Sequence, residues 1–220
     1  MEPELITYQK FNDLALAEEL AGLMEENDIE YSLEEEPQAF NPTFGYADSK
    51  EYVVKISGDD FEKVNELLKE VADEDIDVVD KDYYLFAFSH AELMEVIYKA
   101  DEWSAFDVQL ARKLLAEQGT IVTDEEVAEI SKQRIDELKA NEPSQAGWIG
   151  TGYVFALSGG ILGFFIGWHL WTYKKTLPNG ERVFSYSESD RRQGKYIFYL
   201  SFAGLILLFI YKWHTAFGEN

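Results

Sequence analysis

The chain predicts an α+β protein in three parts: mixed strands and helices over residues 1–88, helices alone over 89–142, and two membrane-crossing helices within 143–220. Three observations carry this reading. The first part alternates strand-like and helix-period apolar patterns, the second repeats a cap residue followed three positions later by an acid, and the third holds two apolar runs without fixed charge.

The first part opens with "LITYQKF", a strand-like run with a β-branched pair and a tyrosine. In "NDLALAEELAGLMEENDI", Leu16, Leu20, Leu23 and Met24 share one helical face, Asn12 or Asp13 caps the start, and Asn27 and Asp28 close it. "EYSLEEE" alternates as a strand. A loop with proline and glycine, "FNPTFGYADSK", leads to "EYVVKIS", which reads as a central strand. In "GDDFEKVNELLKEVADE", Asp59 is the expected cap with Glu62 three residues on, and Phe61, Val64, Leu68 and Val71 line one side. "IDVVDKDYYLFAF" is the expected last strand. Strand, helix, strand, strand, helix, strand is the βαββαβ order of a ferredoxin-like sandwich, in which two helices cover one face of a four-stranded sheet.

Two stretches of this part carry a family resemblance: "LALAEELAGLMEENDIEY", a helix leading into a strand, and "YVVKISGDDFEKVNELL", a strand delivering an acidic turn and a helix. With these, the first 80 or so residues resemble a bacterial family described as putative prokaryotic signal-transducing domains, a domain of unknown function. The resemblance implies a ferredoxin-like fold distantly related to nitrogen-regulatory signal proteins and supplies no catalytic residues. Phe44, Gly45 and Tyr46, in the long connection, form the expected ligand loop.

From Ser89 to about Ala140 the pattern is wholly helical. Ser89 pairs with Glu92, Ser104 with Asp107 and Thr123 with Glu126, each an N-terminal capping signature. Gly119 ends the middle helix, whose apolar side holds Phe106, Leu110 and Leu114, with Trp103 expected to plug the preceding corner. Val127, Ile130, Ile135 and Leu138 form a narrow stripe on the last helix, and "NEPSQAG" breaks it.

Trp148 to Tyr173 contains no Asp, Glu, Lys or Arg. As one helix this run reaches about 39 Å, enough for a hydrocarbon core of about 30 Å. Trp148, Trp168 and Trp171 suit the interfacial belts. A second helix is expected over about 196–213, flanked by Lys195 and Lys212. Gly159, Gly163 and Gly167 form a helix-packing face on the first span, with Gly152, Ala156 and Gly160 as a neighbouring stripe. The loop 174–195 contains Asn179-Gly180, a hairpin-turn signal. Its bases Lys174, Lys175, Arg182, Arg191, Arg192 and Lys195 outnumber Lys132, Arg134 and Lys139 before the first span, which puts the loop in the cytoplasm. Two crossings would then put the amino-terminal domain outside. Its opening residues carry no basic, apolar leader, which predicts a cytosolic domain instead. The two expectations conflict.

Residues 1–147 hold 38 acids against 12 Lys and Arg, a net −26, whereas 148–220 hold 4 acids against 7 bases. So acidic a part repels phosphate backbones, which argues against nucleic-acid binding. The chain has no cysteine, excluding thiolate chemistry and cysteine metal sites. His90, His169 and His214 lack ligand spacing, and Asp73–Asp77 is followed by Val78 and Tyr84 where a calcium loop requires glycine and glutamate. No phosphate loop or nucleophile elbow is present, so no catalytic, metal or cofactor residues are assigned. The function expected is that of a non-enzymatic regulatory or adaptor protein at the bacterial inner membrane, whose acidic domain binds a small ligand or protein partner. The alternative is a structural or assembly subunit of a membrane complex, self-associating or packed through the small-residue face of the first span.

Overall fold

The computed structural model describes residues 4–37, 50–76, 79–80, 82–158 and 160–217. Phe44, Gly45 and Tyr46 of the expected ligand loop, Asp77 of the acidic run and Gly159 of the glycine face lie outside the described residues. The chain forms two compact units: Met1–Leu138 with Thr176–Glu181, and Lys139–Lys175 with Arg182–Asn220.

In the first unit, β1 (Leu5–Phe11), β2 (Tyr31–Pro37) and β3 (Lys50–Ser57) form an antiparallel sheet in the order β1-β3-β2. Helices α1 (Leu14–Glu26) and α2 (Phe61–Asp75) cover one face. Val54 and Ile56, two residues apart on β3 and therefore on one side of the pleat, are buried against Ala17, Leu20 and Met24 of α1 and Phe61 and Val64 of α2. Asp13 caps α1 by accepting from the Ala15 amide at 2.9 Å. Asp59 does not cap α2: Ser57 caps a short 3-10 turn, Gly58–Asp60, that feeds the helix.

Among the described residues no fourth strand joins this sheet, and the fold is mostly helical and is not the expected ferredoxin-like βαββαβ sandwich. Tyr84–Ala87 is a 3-10 turn instead. Its apolar residues look strand-like in sequence but pack as a turn: Leu85 is fully enclosed, while Tyr84 stays partly exposed and lies, with Phe88, against Trp103. Helices α3 (His90–Tyr98), α4 (Ala105–Glu117) and α5 (Asp124–Lys139) follow. Leu93, Val96, Ile97, Leu110 and Leu115 join Leu85 in a second core. The Ser89–Glu92 capping box is complete, and Thr123 and Glu126 bond reciprocally.

In the second unit the expected span over 148–173 is broken. It consists of two shorter helices, α6 (Ala146–Leu157) and α7 (Ile161–Thr172). The helix expected over 196–213 is longer than predicted: α8 runs from Glu188 to Phe217. Its stretch Glu188–Thr215 is long and apolar enough to cross a membrane, and among the described residues it is the one helix that meets that test. The loop between α7 and α8, whose tip Thr176–Glu181 counts with the first unit, carries strands β4 (Lys174–Thr176) and β5 (Arg182–Phe184), joined by the tight turn expected at Asn179-Gly180. Gly180 has φ +80°.

Candidate functional site

The first unit contains a cleft of about 1180 Å³ between the outer faces of α1 and α2 and the helices α4 and α5. Its apolar wall includes Leu16, Leu20, Phe61, Leu68, Trp103 and Phe106. Leu16 and Val71, expected on the apolar faces of their helices, are 52% and 41% exposed, and both line this cleft. Their helices thus carry apolar surface on two sides: one inward to the sheet, one outward to the cleft. The sequence signal was an apolar stripe wider than one core contact needs.

A β-bulge between Thr7 and Gln9 turns Tyr8 out of the ladder toward α2. Tyr8 packs edge-on against Phe61 with ring centroids 5.1 Å apart and donates to Asn65 Oδ1 at 2.6 Å. Burial pushes its hydroxyl up to about 12. Asn65 in turn donates to the Pro178 carbonyl at 3.3 Å.

Charges in the cleft are occupied by one another. Arg134 makes a two-pronged contact with Asp101 at 2.9 and 3.1 Å and also donates to Glu102 at 2.6 Å. The Asp101 hydrogen bond holds the guanidinium above its usual range. Arg112 donates to the Val122 carbonyl at 2.9 Å and pairs with Asp124 at 3.0 Å. Hydrogen bonding from Arg112, reinforced by the nearby Lys69 charge, holds the Asp124 carboxyl below the usual carboxylate range. Glu18, Glu19 and Glu26 line the same cleft on α1 and make it acidic. The walls therefore offer apolar and aromatic surface, with negative charge left over.

Beneath the wall, Asp107 is almost fully buried and accepts three hydroxyl hydrogen bonds: from Tyr83 at 2.7 Å, Tyr84 at 2.6 Å and Ser104 at 2.6 Å. Sequence reading had given Asp107 only the role of a capping acid. The tyrosines were hidden in the expected last strand. Burial first, then donation to Asp107, pushes both tyrosine hydroxyls up. A raised tyrosine value means that the neutral form is favoured by folding. That contribution is fully present below the unfolded-state value of about 10 and is lost as pH rises through the folded one. In an alkaline titration followed by phenolate absorbance, Tyr83 and Tyr84 are expected to ionise in a late step, at higher pH than a free tyrosine. A Tyr83→Phe/Tyr84→Phe protein should remove absorbance from that late step alone; removal from the early phase would refute the network.

In the second unit, Gly152, Gly163 and Gly167 occur at helix–helix contacts inside the chain. A Cβ on Gly152 would lie 2.9 Å from Ile197 Cδ1, and one on Gly163 would lie 2.7 Å from the Ala156 amide nitrogen and 2.6 Å from Ser201 Oγ. One on Gly167 would meet the backbone nitrogen of Phe198. Ala156 is buried in the same seam, and Gly160 is the N-cap of α7. His169 hydrogen-bonds through Nε2 with Tyr186 Oη at 2.9 Å. Ser201 Oγ and Ser185 Oγ are buried without a hydrogen-bond partner. Among the described residues no group of three His, Asp or Glu is arranged to hold a metal ion.

No family model, curated protein or solved structure matches the chain.

Proposed function

We propose that the chain is a membrane-tethered, non-enzymatic adaptor of a regulatory kind, held at the bacterial inner membrane by α8, with its acidic unit binding a partner on the cytoplasmic side. The observation that carries the reading is the cleft itself: a large concavity lined by exposed apolar side chains and aromatic rings, whose arginines are already paired and whose remaining charge is acidic. Such a surface favours a neutral or cationic segment with an apolar face over an anionic metabolite. The bases of the α7–α8 loop support the cytoplasmic side by the positive-inside rule.

The test uses the full chain in nanodiscs of zwitterionic lipid, with a dansyl-labelled amphipathic Leu/Lys peptide as the probe and empty nanodiscs as the blank. Saturable binding that weakens at least tenfold in Leu16→Asn/Val71→Asn supports the cleft. Absence of binding, or equal binding by the double variant, overturns it.

A further inference from the structure

The second unit contains a helical hairpin that is too short to cross a bilayer. The close approaches at its glycines give its geometry: Gly152 lies opposite Ile166, and Ala156 opposite Gly163, so α6 and α7 run antiparallel. Each has 12 residues, about 18 Å of helix against a hydrocarbon core of about 30 Å. On either side of the reversal the described residues hold backbone bonds within the hairpin. The Ser158 amide donates to Val154 O at 3.1 Å, the Gly160 amide to Phe155 O at 2.9 Å and the Gly163 amide to Gly160 O at 3.2 Å. Ser158 Oγ also returns to Val154 O at 2.8 Å. Each such bond lowers the cost of placing these groups in hydrocarbon.

Both ends of the hairpin are tied at one level. The Glu142 amide donates to Ser185 O at 2.8 Å, Lys175 Nζ to Ala140 O at 2.7 Å, and the Gln145 amide to the buried Asp190 carboxylate at 3.1 Å. The chain entering α6, the chain leaving α7 and the first turn of α8 therefore share one layer. That layer also carries Lys174, Lys175, Arg191 and Arg192. From it α8 rises alongside α6, with Tyr153 Oη on Gln193 at 2.7 Å and Gly152 at Ile197. Gly163, three residues past the reversal, lies at Ser201. Beyond about Gly204 α8 continues alone, and from Ile206 to Tyr211 its side chains are apolar and exposed, Leu207 at 67%. The hairpin's tip is equally apolar and exposed, with Leu157 at 76%.

We infer that α6–α7 is a re-entrant hairpin, which enters one leaflet as far as about mid-depth and returns to the side it came from, while α8 crosses. The occupant of its exposed tip is the acyl-chain layer of that leaflet. The length match, the basic collar at its base and the aromatic side chains Trp148, Trp168 and Tyr196 near that collar all fit this depth. One consequence is specific. The chain before α6 and the basic loop before α8 lie on the same side, so a cytoplasmic acidic unit and the positive-inside rule agree, and the conflict raised by two crossings disappears. The inference rests on α8 crossing the membrane, as the proposed function requires.

The test exploits the absence of cysteine. Glu18→Cys, Ser144→Cys, Ser189→Cys and Thr215→Cys, each in the full chain, report with a membrane-impermeant maleimide on intact and on permeabilised cells. Expected is labelling of Thr215→Cys alone on intact cells, with the other three gaining at least tenfold on permeabilisation. The mirror pattern, with Thr215→Cys alone protected, upholds the hairpin and overturns the cytoplasmic placement. Labelling of Ser189→Cys opposite to both Ser144→Cys and Thr215→Cys means two crossings and overturns the hairpin while α8 still crosses. Identical behaviour at all four positions means that α8 does not cross, and both readings fail.

Discussion

Gly167→Leu is expected to unseat α7 from α8 at a cost of about 3 kcal/mol or more, the upper range for overpacking. The reason is that the obstacle is backbone. A Cβ at residue 167 would collide with the Phe198 nitrogen, and would lie 2.8 Å from both Gly194 O and Phe198 Cα, none of which a rotamer change can move. The two helices must separate, and Gly163 and Gly194 lose their contacts with them. The readout is hydrogen exchange of nanodisc-embedded protein, in which α7 amides should lose protection while those of β3 do not. Gly150→Ala is the matched control: nothing lies within 4 Å of its Cβ position, so it should be neutral or stabilise α6 by up to about 1 kcal/mol. Equal protection of α7 in Gly167→Leu and wild type would show that this seam does not form.

Asp107→Ala is expected to destabilise the first unit by about 3 kcal/mol. Three hydroxyls converge on that carboxylate, and removing it leaves Tyr83, Tyr84 and Ser104 without their acceptor under a wall of rings. Tyr83 stands edge-on to Phe106 at 5.5 Å and Tyr84 stacks on Trp103 at 6.3 Å, so the loss extends to the packing of the cleft wall. Asp107→Asn keeps one acceptor oxygen for the tyrosines, but presents a donor to Ser104, and should fall about midway between the two. Denaturant unfolding followed through Trp103 emission measures both. A change below about 1 kcal/mol for the alanine variant would mean that the hydroxyls find other partners.

How much of this was legible in the sequence differs by region, for physical reasons. The caps at Asp13, Ser89 and Thr123 were legible because capping is local: the donor amide lies two or three residues away. The fourth strand was misread because β-branched and aromatic residues in "IDVVDKDYYLFAF" signal burial as much as they signal strand, and here the helices α3 and α4 provide the burial. Leu16 and Val71 were grouped on one face with the residues that pack on the sheet, because periodicity reports an apolar face without saying what covers it. The broken span was misread for a related reason. An uncharged run of 26 residues suits one crossing helix or a hairpin of two half-length ones, since lipid accepts both. "SGG" at 158–160 was itself a turn signal, but was read as part of a packing stripe. The cleft was beyond sequence reasoning, because it joins residues from Tyr8 to Pro178 that only the fold brings together.

The central claim is that α8 holds this acidic chain in a bilayer. The most direct measurement is retention in the membrane pellet after an alkaline carbonate wash, for wild type and for Leu207→Arg/Ile210→Arg, which puts two charges on the solitary, apolar part of α8. Wild type should stay in the pellet and the double variant should move largely to the supernatant. Wild-type protein released by the wash would contradict the account, because a helix that crosses the bilayer is not removed by stripping surface contacts.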